Sequence, residues 1–368
     1  MNPAATRTAS PIWTTLPSRY YWAEEIFELE KERIFYDAWL YVGRVARIPN
    51  PGDFITQEIV DESVIVVRDK KGSINAFSNV CRHRGNRLCS AASGKFKGSA
   101  IPCGYHGWTY DLEGKLIATP NMVGTEGFRQ EDFPLYPVAL HLWQGCIFVN
   151  LSPNPEPFDP GIGPLEETIG RYNFANLDVG ARREYHLDAN WKLVQENNVE
   201  CYHCPSIHPE LCAIQPNVRR GLIGSSSRDG NPLIEGGNAF TPDATTKRPL
   251  ISTITPADEG RFRSTPIWPA FFLGFLPDHV FAFNIWPTAL EKTTVVVEWL
   301  FEPSTIARPD FDPNDTVEFL DTVLKQDFDI CHQVQKGIKS RAHKVGVYSP
   351  GEFLPYEFNE WVRTRVER

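Results

Sequence analysis

Cys81-Arg-His83-Arg-Gly85 and Cys103-Gly-Tyr-His106-Gly-Trp108 are the stretches whose reading decides this chain. Each supplies one thiolate and one imidazole, and a segment rich in Gly, Ser and Lys separates them. Two sulfurs and two nitrogens match the donor set of a 2Fe–2S cluster in which Cys81 and Cys103 hold one iron and His83 and His106 the other. Neutral imidazoles in place of two thiolates make such a cluster less negative and raise its potential, which suits it to passing single electrons. The glycines permit two tight loops around an inorganic core, with Tyr105 and Trp108 placed to exclude water. Structural zinc is the competing reading. Zinc fingers, however, run Cys-Cys and then His-His, whereas here Cys and His interleave within each pair. A disulfide framework fits poorly, with 8 Cys among 368 residues, no N-terminal apolar stretch of a signal peptide and no membrane-spanning segment. A reducing, cytoplasmic setting is therefore expected.

Outward from the two pairs, the length allows two domains, each able to bury its own core. A hydrophobic share of 42% and a charged share of 23% are ordinary for a globular protein. The formal net charge of −9 leaves no basic excess to displace counterions from a phosphate backbone, so no nucleic-acid partner is expected. Short runs at Ser63–Val67, Ile74–Val80 and Cys146–Leu151, bounded by Gly, Asp or Asn, read as strands of a small all-β domain that contains both Cys/His pairs. Ser18–Trp39 has apolar residues at helical spacing, enough for one or two amphipathic helices. The 30 prolines are densest in Leu151–Pro164, which reads as a domain boundary. Beyond it, Arg182–Asp188, Val280–Trp286 and Thr293–Phe301 read as longer strands and Asn314–Ser340 as helix. Asn217–Pro266, rich in Gly, Ser, Thr and Pro, reads as long loops over an antiparallel sheet. The fold class is α+β, divided into an N-terminal helical segment (1–40), a cluster domain (41–155) and a second domain (156–368).

A second metal site is suggested by Asn190–Pro209 (NWKLVQENNVECYHCPSIHP), which holds His203 and His208. On an unbroken helix, residues five apart differ by about 140°, so they could not share a ligand. Pro205 is expected to disturb the helix between them and let both imidazoles reach one metal. If the site is a two-His, one-carboxylate iron centre, a carboxylate must complete it. Val317, Leu320, Leu324, Asp327, Cys331, Val334 and Ile338 recur at spacings of three and four, the stripe of a core-facing helix. Only Asp327 in that stripe is charged, and a carboxylate at a core position needs a counter-charge or a metal. Asp329 nearby shows that acids are common here, but it lies off the buried face. Glu200, three residues before His203 on the same helical segment, is either a surface glutamate or a carboxylate that accepts from metal-binding imidazoles. Cys201-Tyr-His-Cys204 also spells a C-x-x-C dithiol, a weaker reading because His203 is better employed on iron.

The order Cys81-x-His83, Cys103-x₂-His106, Asn190-Trp-Lys192 and Glu200-x₂-His203-x₄-His208 resembles the terminal oxygenase (α) subunits of Rieske non-haem iron oxygenases, from Tyr20 to about Val362. The resemblance implies a β-sandwich around the cluster and a helix-grip catalytic domain on an antiparallel sheet, with the N-terminal segment packed on that domain. It implies cluster ligands Cys81, His83, Cys103 and His106, and Fe(II) ligands His203, His208 and Asp327. It also implies a head-to-tail homotrimer, in which the cluster of one subunit feeds the iron of the next through His106 (or His83) and a bridging carboxylate, Glu200. That bridge is commonly Asp in ring-hydroxylating dioxygenases, and here it is one methylene longer. The phrase Glu200–Pro209, with Trp299-Leu-Phe301 and Gln335-Lys-Gly337, is more similar to the branch acting on quaternary ammonium compounds.

The same resemblance implies an oxygenase that takes O₂ as co-substrate and draws electrons from NAD(P)H through a separate flavin/iron–sulfur reductase. The chain itself has no nucleotide fingerprint and no second iron–sulfur motif. On a small substrate such as a betaine, hydroxylation of an N-methyl group gives a carbinolamine that collapses to formaldehyde and a demethylated amine. A quaternary nitrogen offers no hydrogen bond, so an aromatic cage is the expected grip. Among Trp268, Phe271, Phe272, Phe275, Phe281, Phe283 and Trp286, most are sheet core, with Phe283 and Trp286 the candidates for cage walls. Two other readings remain open: ring hydroxylation of an aromatic acid by the same chemistry, and a Rieske electron carrier with no second iron.

Overall fold

The computed structural model describes residues 12–163, 165–221 and 230–368. The first residues of the N-terminal segment, Pro164 and part of Asn217–Pro266 lie outside the described residues.

The cluster motifs sit in small antiparallel sheets. β1 (Leu40–Arg44) pairs with β10 (Cys146–Asn150), which pairs with β9 (Ala139–Trp143). β2 (Asp53–Ile59), β3 (Glu62–Arg68), β4 (Ile74–Ser78) and β5 (Ser93–Lys95) form a second sheet in the order β4-β3-β2-β5. β6 (Ala100–Pro102), β7 (Thr109–Asp111) and β8 (Leu116–Ala118) form a third. The β-branched run of β3 supplies Ile65 and Val67, which pack with Ile101, Tyr110, Leu112, Cys81 and Cys103 in one apolar cluster. Burying the two thiols in that cluster fixes the loops that carry them.

The larger unit is a six-stranded antiparallel sheet in the order β11-β16-β15-β14-β13-β12. Its strands are β11 (Asp178–Leu187), β12 (Asn231–Pro232), β13 (Arg261–Ile267), β14 (Phe271–Phe275), β15 (Val280–Ala289) and β16 (Lys292–Phe301). Every residue from Val280 to Pro287 is buried, as a central strand covered on both faces requires. At a bulge between Val179 and Ala181, Gly180 lies so close to the rings of Phe301 and Phe311 that a Cβ would stand 2.7 and 2.8 Å from them. The expected loop region 217–266 thus ends in a strand, β13, which its Gly/Ser/Thr-rich approach concealed.

Helices close around the sheet: α1 (Glu24–Glu30), α2 (Leu165–Arg171), α3 (Trp191–Asn198), α4 (Cys204–Ile207), α5 (Pro209–Ile214), α6 (Pro303–Ile306), α7 (Asn314–Ile338) and α8 (Phe353–Val366). α7 buries Val317, Leu320, Leu324, Asp327, Cys331 and Ile338 as its spacing predicts. Val334 departs from that stripe and is exposed, while Gln335 turns inward and accepts from the Asn190 amide at 2.8 Å. The N-terminal segment packs on this unit: Glu30 Oε1 pairs with Lys192 Nζ at 2.6 Å, both side chains fully buried, and Glu30 Oε2 accepts from Trp191 Nε1. Arg33 donates to the Val366 carbonyl, tying the segment to the end of α8. Among the described residues no helix is long and apolar enough to cross a membrane.

Candidate metal centres

The two Cys/His loops are built alike. The amide of Gly85 donates to the Cys81 carbonyl at 3.0 Å, and that of Gly107 to the Cys103 carbonyl at 3.1 Å. Both glycines have positive φ, 71° and 75°, so each loop reverses four residues beyond its cysteine. Cys81 and Cys103 are buried, whereas His83 is half-buried and His106 exposed. The imidazoles converge, with ring centroids 4.6 Å apart, and Trp108 stacks on His83 at 4.8 Å. Trp108 is buried, but Tyr105 is 55% exposed and leans on His106, so it does not shield the site as the sequence suggested. The Tyr110 hydroxyl stands 3.4 Å from Cys81 Sγ, and Asn86 Nδ2 donates to Cys103 Sγ at 3.6 Å. Burial pushes the Cys81 thiol up. At Cys103 burial is outweighed by the amide of Tyr105 and by Cys81, and its thiol falls below the usual range. Two buried sulfurs and two outward imidazoles on facing loops fit a 2Fe–2S cluster with its histidine iron toward the surface. None of the 8 cysteines is in a disulfide.

The second centre is assembled by a break between two short helices at His208. α3 ends at Asn198, and Glu200 therefore lies in the turn beyond it, not on a shared helical segment with His203. Pro205 does not interrupt a helix; it sits in the first turn of α4, where a missing N–H costs nothing. The break falls at His208 itself, with φ −117° and ψ 73°, because Pro209 follows and excludes helical backbone before it. His203 and His208 are thereby turned to the same side. Their Nε2 atoms lie 3.2 Å apart, and Asp327 Oδ1, from the middle of α7, is 3.1 Å from the first and 2.9 Å from the second. With metal–donor bonds of roughly 2.1 Å, adjacent corners of an octahedron stand about 3.0 Å apart. The triangle fits one face of such a coordination sphere, so these three residues would hold one metal ion.

Outer partners fix both tautomers. His203 Nδ1 is 2.5 Å from Glu200 Oε1, and Glu200 Oε2 also accepts from the amides of Tyr202 and His203. His208 Nδ1 donates to Gln326 Oε1 at 2.7 Å, and Gln326 Nε2 in turn donates to Glu210 at 3.1 Å. Each ring thus keeps its Nε2 lone pair for the centre. Burial opposes a charge on these imidazoles, but Asp327 foremost, with Glu200 at His203 and Gln326 at His208, outweighs it and favours the protonated rings, His203 up to about 10 and His208 also upward. A metal must therefore displace a proton from each Nε2 in order to bind. Asp327 is held low against its own burial by the same two histidines. Cys204 Sγ, 3.8 Å from His203 Nε2, stands at the edge of the group. Its thiol is pushed far upward by the Cys201 thiol and by burial, so it remains a weak donor beside the imidazoles.

A cavity of about 100 Å³ opens beside the triangle. Phe240, Phe262, Phe272, Phe281, Phe283 and Leu324 line much of it. The aromatic wall is continuous: Phe262 lies 4.8 Å from Phe240 and 6.0 Å from Phe281 between ring centroids. Phe281 and Phe283 alternate on one face of β15, while Trp286 falls on the other face and is buried in the core. That period of two was legible in the sequence and would have selected Phe281 over Trp286. Phe240, Phe262 and Gln215 left no such signal, since a loop, the strand β13 hidden behind a Gly/Ser/Thr-rich approach, and a helix end bring them in.

The fold and the two centres define an iron–sulfur oxygenase, a protein that takes up electrons at a cluster and uses them at a separate non-haem iron. Residues 38–133 match the Rieske [2Fe-2S] domain, and residues 174–368 match the catalytic domain of the ring hydroxylating alpha subunit. The chain belongs to the Rieske non-haem iron oxygenase alpha subunits, and it is an oxidoreductase. It is 31% identical over 404 aligned positions to the glycine betaine monooxygenase oxygenase subunit of Pseudomonas aeruginosa, covering all of this chain and 93% of that one. It is 28% identical over 335 positions to the carnitine monooxygenase oxygenase subunit of Acinetobacter pittii, covering 90% and 86%. In fold it is similar to the crystal structure of a quaternary ammonium Rieske monooxygenase in complex with L-carnitine, with TM-score 0.76, 24% identity and 96% of each chain covered.

Proposed function

We propose that this subunit oxygenates an N-methyl group of a small quaternary ammonium compound of the betaine class. The cavity carries this reading. Its phenylalanine wall suits a cation that cannot be hydrogen-bonded, and among the described residues no Lys or Arg lines it. An aromatic acid would find no counter-charge there but the metal itself. The small volume, below the roughly 300–1,000 Å³ of drug-sized ligand sites, also favours a compact substrate.

His203, His208 and Asp327 hold Fe(II) in this reading, and Cys81, His83, Cys103 and His106 hold the cluster. The bound iron supplies the O₂ chemistry. Glu200 orients His203 and, as a bridge, receives the imidazole of a neighbouring subunit's cluster, His106 being the more exposed of the two. Glu200 also lines a second hollow, with Glu196, Tyr348 and Glu352, which gives a docking imidazole an approach distinct from the substrate cavity. A head-to-tail homotrimer, units bounded at 41–155 and 156–368, and a separate NAD(P)H-dependent reductase complete the proposal.

The test is turnover with a reconstituted reductase, following O₂ uptake and formaldehyde against glycine betaine, carnitine, choline and benzoate. Formaldehyde released in step with consumption of a betaine is expected. Hydroxylated benzoate without formaldehyde would move the protein to ring hydroxylation.

A further inference from the structure

We propose that Gln215, assisted by Asn198, selects zwitterionic over purely cationic ammonium compounds by holding the substrate's carboxylate; the inference rests on the quaternary ammonium reading above. Gln215 is the C-cap of α5 and is only 1% exposed, yet it lines the cavity. Its Nε2 finds no hydrogen-bond partner among the described residues. Asn198, the last residue of α3, repeats the pattern: it lines the same cavity, and its buried Nδ2 is also unpartnered. Buried N–H groups are ordinarily satisfied, and two that face one cavity without an acceptor mark the place where a ligand's acceptor belongs.

Their being amides is informative. In so small a cavity an ammonium and a carboxylate of one ligand lie only a few ångströms apart. An Arg or Lys placed for the carboxylate would repel the ammonium at that range, whereas an amide donates N–H without adding charge. The ligand's own two charges then balance. Position fits as well. α5 begins directly after His208 and its 6 residues rise about 9 Å, so Gln215 stands at the far end of that helix from the metal-facing histidine. A carboxylate anchored there leaves the N-methyl end toward the triad and the phenylalanines.

The test is anaerobic titration calorimetry on the full chain carrying cluster and iron, with glycine betaine, choline and tetramethylammonium as probes. The wild type is expected to bind glycine betaine tightest. Gln215→Leu should raise the Kd for glycine betaine about tenfold or more, as loss of a hydrogen bond to a charged group implies, and leave tetramethylammonium within about twofold. Gln215→Glu should lose glycine betaine further while holding or tightening choline. Unchanged glycine betaine affinity in Gln215→Leu would overturn the inference. So would an equal loss of all three ligands, which would make the residue structural. If Gln215→Leu does not retain its cluster spectrum, the same contrast is read in Asn198→Ala. A wild type that binds tetramethylammonium without preferring glycine betaine overturns the inference alone; one that binds none of the three overturns the substrate reading beneath it too.

Discussion

Asp327 sits on α7 in a stripe with Val317, Leu320, Leu324, Cys331 and Ile338, and the fold delivers it within 3.1 Å of two imidazole nitrogens. Removing it leaves two donors where three are needed. Asp327→Ala should abolish turnover and shed the mononuclear iron while the cluster's visible spectrum persists; activity retained in that variant would mean another carboxylate serves. Glu200 acts one bond further out. Glu200→Gln should keep both metals and slow electron delivery to the iron in single-turnover measurements, and a normal rate would remove Glu200 from the path. Periodicity exposed Asp327 because a charge in an apolar stripe is a local signal. Gln215 and Phe240 gave none, since only the tertiary fold turns a helix cap and a loop residue toward the cavity.

The elements make the site possible through two close approaches. Gly274 on β14 faces Phe281 across the sheet, and a Cβ there would stand 2.1 Å from the Phe281 ring. Phe281 is buried and lines the cavity, so Gly274→Ala should push the ring inward. A loss of about 1–3 kcal/mol in stability and weaker substrate binding are expected, with the cluster spectrum unchanged. A second junction ties α2 to β13: Asp258 accepts from Arg171 Nε and Nη2 at 3.1 Å and pairs with Arg263 at 3.1 Å. Burial alone would raise its carboxyl, but Arg171, the Thr255 amide and hydroxyl, and Arg263 hold it at about 2. A depressed folded pKa means that the contribution, about 2 kcal/mol, is complete above the unfolded value near 4 and is lost as pH falls toward 2. Denaturant unfolding should therefore separate wild type from Asp258→Asn at pH 6, with the gap narrowing below pH 4. A gap independent of pH would contradict it. Strands such as β3 and β16 were legible from their β-branched runs. The break at His208 was misplaced onto Pro205 because a proline in a first helical turn and one that ends a helix look alike in sequence.

At the scale of the molecule, the sequence's two kinds of metal motif are distributed to two kinds of architecture. Small sheets bury two thiols beneath outward histidines, and a large sheet with α7 across it buries a carboxylate against a broken helix. The α+β class came from patterning alone, since alternation and helical spacing survive without any knowledge of contacts. How the N-terminal segment locks onto the catalytic unit did not, because the buried Glu30–Lys192 pair joins residues far apart in the chain. The central claim is that one chain builds a cluster and a separate iron site. Iron and acid-labile sulfide, counted per chain in anaerobically reconstituted protein, test it most directly. About three irons and two sulfides are expected, and two irons with two sulfides in fully loaded protein would leave an electron carrier and no oxygenase.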